Sequence, residues 1–370
     1  MYLSRWSTKK KGKYDFRFRI YHTSVLCFEQ AKGAYKKANF FFGCAGSKNH
    51  PNETEENTMK KFLAIVLTLA LCLGLCSMAS AETTTYKIGI LAPAVTHGWV
   101  AGVAYQAEQR CKELADTVEY KLYTSNNAEE MTTQLDDLKT WGAQAIVAFP
   151  QWEGMEVPIQ AAIDEGIYVV NFDIAINAEG VYMVTGDNEG MGIEGAKYIV
   201  DKIGTEGTVV ALPVPTSGSV SELRMKGFTE TMAEIAPNVK IIEYATAFTR
   251  EDGLKDMADI LTANPQIDAV FSLDDETSIG ALQAIEDAGR TDIKVITGGG
   301  GCQEYFNIIA ANESINVCSA LYSPLMVKDA VDEAVALLKG ETVDPVKVIP
   351  TTIVDRSNVA DYLDPENTVY

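Results

Sequence analysis

Histidine is nearly absent from the 370 residues: there are three, His22, His50 and His97. Zinc sites with several histidine ligands, HExxH helices and serine triads with a histidine-rich surround therefore have little to draw on. Beyond residue 81 only His97 remains, in a loop entering a helix, where it reads as a ligand hydrogen-bonder or a neighbour of the helix cap. Cysteine is sparse as well, and Cys27, Cys44, Cys72 and Cys76 all precede residue 82. Cys111, Cys302 and Cys318 cannot all pair. Cys111 shares a helical stripe with Trp99, Val103, Ala107 and Leu114 and reads as a buried thiol; a Cys302 to Cys318 bridge stays open. Positive charge is scarce in the main body of the chain. The net charge is −20, yet residues 1–58 carry 11 Lys+Arg against 5 Asp+Glu, whereas from Glu82 onward 18 basic residues face 46 acidic ones. Such a surface repels phosphate backbones and anionic headgroups, which argues against nucleic acid or a membrane surface as a partner.

What is present near the start is a processing signal. Met59-Lys60-Lys61, the apolar run Phe62 to Cys76 and then Ala79-Ser80-Ala81 have the three parts of a secretory signal peptide. The run is short of the roughly 20 residues a membrane span needs, and cleavage is expected after Ala81. A lipoprotein anchor on Cys72 or Cys76 is the lesser alternative, because each follows a leucine. Residues 1–58 are basic, aromatic and without clear periodicity; the expectation is a mistranslated leader or disordered extension, with 59–81 as the signal peptide.

From Tyr86 the chain alternates short β-branched runs with amphipathic stretches, first over residues 87–172 and again over 188–339. This pattern predicts an α/β protein with two lobes, each a parallel sheet flanked by helices. In open parallel sheets ligands sit beyond the carboxyl ends of the strands. The residues there include Pro93 to Trp99, Pro150 to Trp152, Asp173, Thr216 to Arg224, Phe248 to Arg250 and Asp274 to Glu276. Carboxylates accept from sugar hydroxyls, flat rings stack on the C–H faces of a sugar, and Arg224 offers a rigid fork of donors. Trp152 reads equally as cleft wall or packing residue. Asp274 is expected to touch ligand, with Asp275 and Glu276 as cap or structural network. Gly298 to Gly301 lacks the GxGxxG spacing with a downstream acid and reads as a turn at a cleft rim. Neither a catalytic set, a metal site nor a cofactor is expected.

The stretch Tyr86 to Ile353 resembles periplasmic sugar-binding proteins of the ribose-binding type, the substrate-binding components of ABC transporters with the type I periplasmic binding protein fold. The resemblance is carried by Tyr86-Lys-Ile-Gly-Ile, Gly186-Asp187-Asn188, Arg224-Met-Lys-Gly-Phe228, Thr262 to Phe271 and Asp274 to Leu282. It implies Rossmann-like lobes at 82–186 plus 322–350 and 187–321 plus 351–370, joined by a three-strand hinge near Gly186, Leu321 and Pro350. It also implies ligand contacts at His97, Trp99, Asp173, Arg224, Phe248 and Asp274. Ile174, Gly300 and Leu321 stand where that family usually has Arg, Asp and Gln, so ribose is not assigned. The implied protein is a monomer, periplasmic or extracellular and not an enzyme, which delivers a sugar or polyol to an ABC transporter permease. A chemoreceptor or sensor kinase is a further partner compatible with this. A LacI-type effector domain or an exported carbohydrate-active enzyme ranks lower: no helix-turn-helix pattern precedes the acidic core.

Overall fold

Strand-forming and helix-forming stretches alternate in the computed structural model, which describes residues 85–94, 98–367 and 369–370. The expected leader, the signal segment and His97 lie outside the described residues. The first half runs β1 (Tyr86–Pro93), α1 (Gly98–Glu113), β2 (Val118–Ser125), α2 (Ala128–Trp141), β3 (Ala145–Ala148), α3 (Glu156–Asp164), β4 (Tyr168–Phe172) and β5 (Tyr182–Gly186). The second runs α4 (Asn188–Ile203), β6 (Glu206–Leu212), α5 (Ser219–Ile235), β7 (Asn238–Glu243), α6 (Arg250–Ala263), β8 (Ala269–Ser272), α7 (Asp275–Asp287), β9 (Val295–Gly300), α8 (Gln303–Ala311) and β10 (Asn316–Leu321). After these come α9 (Val327–Leu338), β11 (Val346–Ile349) and β12 (Ile353–Val354).

Two six-stranded sheets result, ordered β2-β1-β3-β4-β5-β11 and β7-β6-β8-β9-β10-β12. All pairings are parallel except β10 with β12. The central strands are buried on both faces, and this is why Ala145–Ala148 and Ala269–Ser272 are nearly continuous apolar runs. In register, Val147 sits between Ile90 and Val170, with all three at most 2% exposed. The chain passes between the sheets after β5, after β10 and after β11. Each sheet reverses its strand order beside its first strand, at β1/β3 and at β6/β8, so each has a crevice at its carboxyl edge.

Helix starts are set by side-chain caps. Asn127 accepts from Glu130 N at 2.9 Å, Asp187 from Gly190 N at 2.7 Å and Thr249 from Asp252 N at 3.0 Å. One expectation needs correction, and one open question is answered. Gly298 to Gly300 is not a turn but the end of β9, pairing with Ser319 to Leu321. Cys302 and Cys318 are not bridged: with Cys111 they are free, buried thiols. Among the described residues no helix is long and apolar enough to cross a membrane.

Candidate functional site

The loops after β1, β3 and β4 meet those after β6, β7 and β8 around one cavity of about 280 Å³. Trp99, Asp173, Arg224, Phe248 and Asp274 all line it. Trp152 does not. The segment after β3 turns Gln151 and Glu153 to the cavity and carries Trp152 back onto the apolar cluster of Met155 and Ile159. Of the three positions that depart from the ribose-type pattern, Ile174 and Gly300 line the cavity, while Leu321 packs against the core beside it.

Tyr322, unmarked by any sequence signal except its place just after β10, is central to the site. Its hydroxyl donates to Asp173 Oδ1 and accepts from Asn188 Nδ2 at 3.2 Å. Its carbonyl accepts from the Trp99 indole Nε1 at 2.7 Å. The Arg224 guanidinium lies over its ring, 4.7 Å from the centroid. Trp99 is wedged edge-on to Phe149 at 5.9 Å and stacked on Phe172 at 6.1 Å, which fixes the indole that forms one wall.

Asp173 follows β4 with φ of 69°, a left-handed conformation uncommon outside glycine, asparagine and aspartate. It is held there by a bond from its own N–H to the Val184 carbonyl at 2.9 Å and by Thr185 Oγ1 donating to its carbonyl at 3.0 Å. Burial pushes its carboxyl above the usual range, against the opposing pull of the Tyr322 hydroxyl and the Arg224 charge.

Arg224 is 5% exposed and uses two donors structurally, Nε to Asn188 Oδ1 at 2.8 Å and Nη1 to the Leu273 carbonyl at 2.7 Å. A guanidinium has five N–H groups, so these two bonds leave donors to spare on a side chain that lines the cavity. Asp274 both lines the cavity and caps α7, accepting from Glu276 N at 3.1 Å and Thr277 N at 3.3 Å. The cap expected of Asp275 or Glu276 therefore belongs to Asp274. Asp275 instead accepts from Gly301 N at 2.7 Å, Cys302 N at 2.9 Å and Ser319 Oγ at 2.7 Å, whereas Glu276 pairs with Arg250. Burial, reinforced by the neighbouring Asp275, pushes Asp274 up to about 7; burial raises Asp275 to about 6.

The site thus offers aromatic faces, the three carboxylates of Glu153, Asp173 and Asp274, and the Arg224 guanidinium, drawn from both sheets. Among the described residues no group of His, Cys, Asp and Glu could hold a metal ion. Tyr370 also lines the cavity, and nothing in the strand pattern predicted it.

Known proteins share this architecture. The xylitol-binding protein of Mycolicibacterium smegmatis is 27% identical over 319 residues, covering 82% of this chain and 88% of that protein. The D-allose-binding periplasmic protein of Escherichia coli is 29% identical over 220 residues, 56% of this chain and 70% of that protein. Among solved structures, an ABC transporter solute-binding protein from Mycobacterium smegmatis with bound glycerol superposes with a TM-score of 0.68 at 25% identity, covering 77% of this chain and 99% of the other. One from Actinobacillus succinogenes with bound D-allose gives a TM-score of 0.68 at 22% identity, covering 75% and 100%, a likeness of fold. Residues 88–342 match the family model described as a periplasmic binding protein domain, and the chain belongs to that family.

Proposed function

We propose that this chain is an exported substrate-binding protein that captures a sugar or polyol between two lobes and delivers it to an ABC transporter permease. The observation that carries this reading is the composition of this cavity: the rings of Trp99, Phe149, Phe248, Tyr322 and Tyr370, with Asp173, Arg224 and Asp274 converging from both sheets. Rings cover the C–H faces of a polyhydroxylated ligand while charged groups bond its hydroxyls. About 280 Å³ lies at the small end of ligand cavities, which run from roughly 300 to 1,000 Å³, and suits a single sugar or polyol. The named ligands of its relatives, xylitol and D-allose, belong to the same chemical class.

The lobes of this reading are 82–186 with 322–350 and 187–321 with 351–370, hinged where the chain crosses between the sheets. Ligand selects the closed form because only there do groups of both lobes meet it. The protein works outside the cytoplasm after loss of residues 59–81, as a monomer and without catalysing a reaction. A chemoreceptor or sensor kinase is a second receiver compatible with the same closed form. Thermal unfolding against a panel of pentoses, hexoses and polyols tests the reading, since a ligand that binds only the folded state raises the midpoint. A clear upward shift with one member supports it; a flat response across the panel counts against a carbohydrate ligand.

A further inference from the structure

Tyr370 comes from neither of the strand ends that build the rest of the cavity. Its segment is fastened to α8, where Gln303 Nε2 donates to the Tyr362 carbonyl at 3.1 Å and Gln303 Oε1 accepts from Asp364 N at 2.7 Å. Asn367 then brackets the residue, Nδ2 donating to the Tyr370 carbonyl at 2.6 Å and Oδ1 accepting from Tyr370 N at 3.4 Å. The side chain is 6% exposed.

Three glycines make room for it. A Cβ built on Gly98 would stand 3.0 Å from Tyr370 Cδ2, and one on Gly102, a helical turn further along α1, 3.2 Å from Tyr370 Cβ. A Cβ on Gly300 would lie 2.3 Å from the Tyr370 hydroxyl oxygen, closer than any real contact. Gly98 and Gly102 belong to the first sheet's layer and Gly300 ends a strand of the second. The ring is therefore seated against both halves of the molecule while its backbone is tied to one.

We infer that Tyr370 is a specificity-determining residue: its ring is a tethered plug that occupies one end of the ligand chamber and limits the ligand to a single small polyol or sugar unit. This rests on the reading of the cavity as a carbohydrate site. A plug of this kind excludes by volume, so removing it enlarges the chamber rather than deleting a ligand bond. Alanine keeps the Cβ, so the shape its removal leaves is that of phenol, and a hole left by a deleted ring binds a molecule of matching shape.

The test compares the full chain with Tyr370→Ala. Melting temperatures are measured with and without millimolar phenol. Affinities are measured for D-ribose, D-allose, D-galactose, xylitol, lactose and maltose. The inference expects phenol to raise the melting temperature of Tyr370→Ala by several degrees and to leave the parent unmoved. It also expects a disaccharide to bind the variant at least tenfold more tightly than the parent. Equal phenol responses together with unchanged sugar selectivity would overturn it. If no sugar or polyol binds the parent, the carbohydrate reading fails, and the phenol arm alone still decides whether Tyr370 fills the chamber. If Tyr370→Ala does not fold, a double-mutant cycle with Gly300→Ala and Tyr370→Phe takes its place. Gly300→Ala must lower the melting temperature more in the parent than in the Tyr370→Phe background, because the methyl meets the hydroxyl only in the parent; equal losses would sink the placement of the ring.

Discussion

The Tyr322 hydroxyl donates to the Asp173 carboxylate across a buried interior, joining the segment after β10 to the segment after β4. The same hydroxyl faces Thr185 Oγ1 at 3.2 Å and accepts from Asn188 Nδ2, so one phenol ties together the two ends of the first crossing between the sheets and the start of the second. Tyr322→Phe removes the donor and leaves a buried carboxylate short of a partner, which costs about 1–3 kcal/mol. The expected result is a lower melting temperature and weaker ligand binding together. A double-mutant cycle with Asp173→Asn should show a coupling of about 0.5–3 kcal/mol, and strict additivity would mean the bond contributes nothing.

Among the described residues Arg224 is the one guanidinium lining the cavity. Arg224→Ala strands the Asn188 side chain and the Leu273 carbonyl and removes the countercharge from Asp173 and Asp274. Ligand binding should weaken by about 1–3 kcal/mol, read by calorimetry. Arg224→Lys should recover little, since a single ammonium cannot reproduce the fork that bonds Asn188 and Leu273 at once. Wild-type affinity in both variants would displace the site from this cavity.

Tryptophan emission separates the two indoles singled out by sequence. Trp99 lines the cavity and Trp152 packs against Met155 and Ile159. A ligand-induced change in fluorescence should persist in Trp152→Phe and vanish in Trp99→Phe. The reverse outcome would return Trp152 to the site.

Where sequence succeeded, local chemistry and burial agreed. The α4 helix spans Asn188–Ile203 as the pattern predicts, because Asp187 caps it and a continuous apolar stripe faces the sheet. The β4 strand, apolar apart from the buried Asn171, was equally legible. Three strands were not. In β11 the apolar side chains Val346 and Val348 are 57% and 52% exposed, so the usual alternation signal is inverted at this edge. The β5 strand is half-buried at its start, the two-residue β12 is too short to show a period, and the glycines of β9 hide a strand ending whose pairing with β10 is a tertiary matter. The same limit applies to the site. Strand-end reasoning reached Trp99, Asp173, Arg224, Phe248 and Asp274. It missed Tyr322 and Tyr370 because a crossing segment and a distant loop enter the cavity through topology rather than local pattern.

The thiols give a test of burial. Cys111 and Cys302 are pushed up to about 12 by burial, and burial raises Cys318 well above the usual thiol range. Alkylation requires the thiolate and access to it. Iodoacetamide should leave all three unmodified in the native protein at pH 8 and modify all three after denaturation without reductant. Failure to label Cys302 and Cys318 in the denatured, unreduced chain would indicate a bridge between them.

The buried carboxylates set a pH dependence whose sign is fixed by linkage. Asp274 at about 7 and Asp275 at about 6 lie above the roughly 3.9 of an aspartate in an unfolded chain, and Asp173 is raised in the same direction. Between about pH 4 and 7 the native state therefore holds more protons than the unfolded state, so stability is fully present at the acid end of this window and falls as pH rises. Asp292, held down to about 2 by Arg290, acts in the opposite sense but below this window. The melting temperature should accordingly decline from pH 5 to 8. Asp274→Asn separates the cap from the charge, since asparagine caps helices as well as aspartate does. This variant should show a flatter decline and a higher melting temperature than the parent at pH 8, while an identical slope would mean that Asp274 is ionised throughout and that the Arg224 charge outweighs its burial.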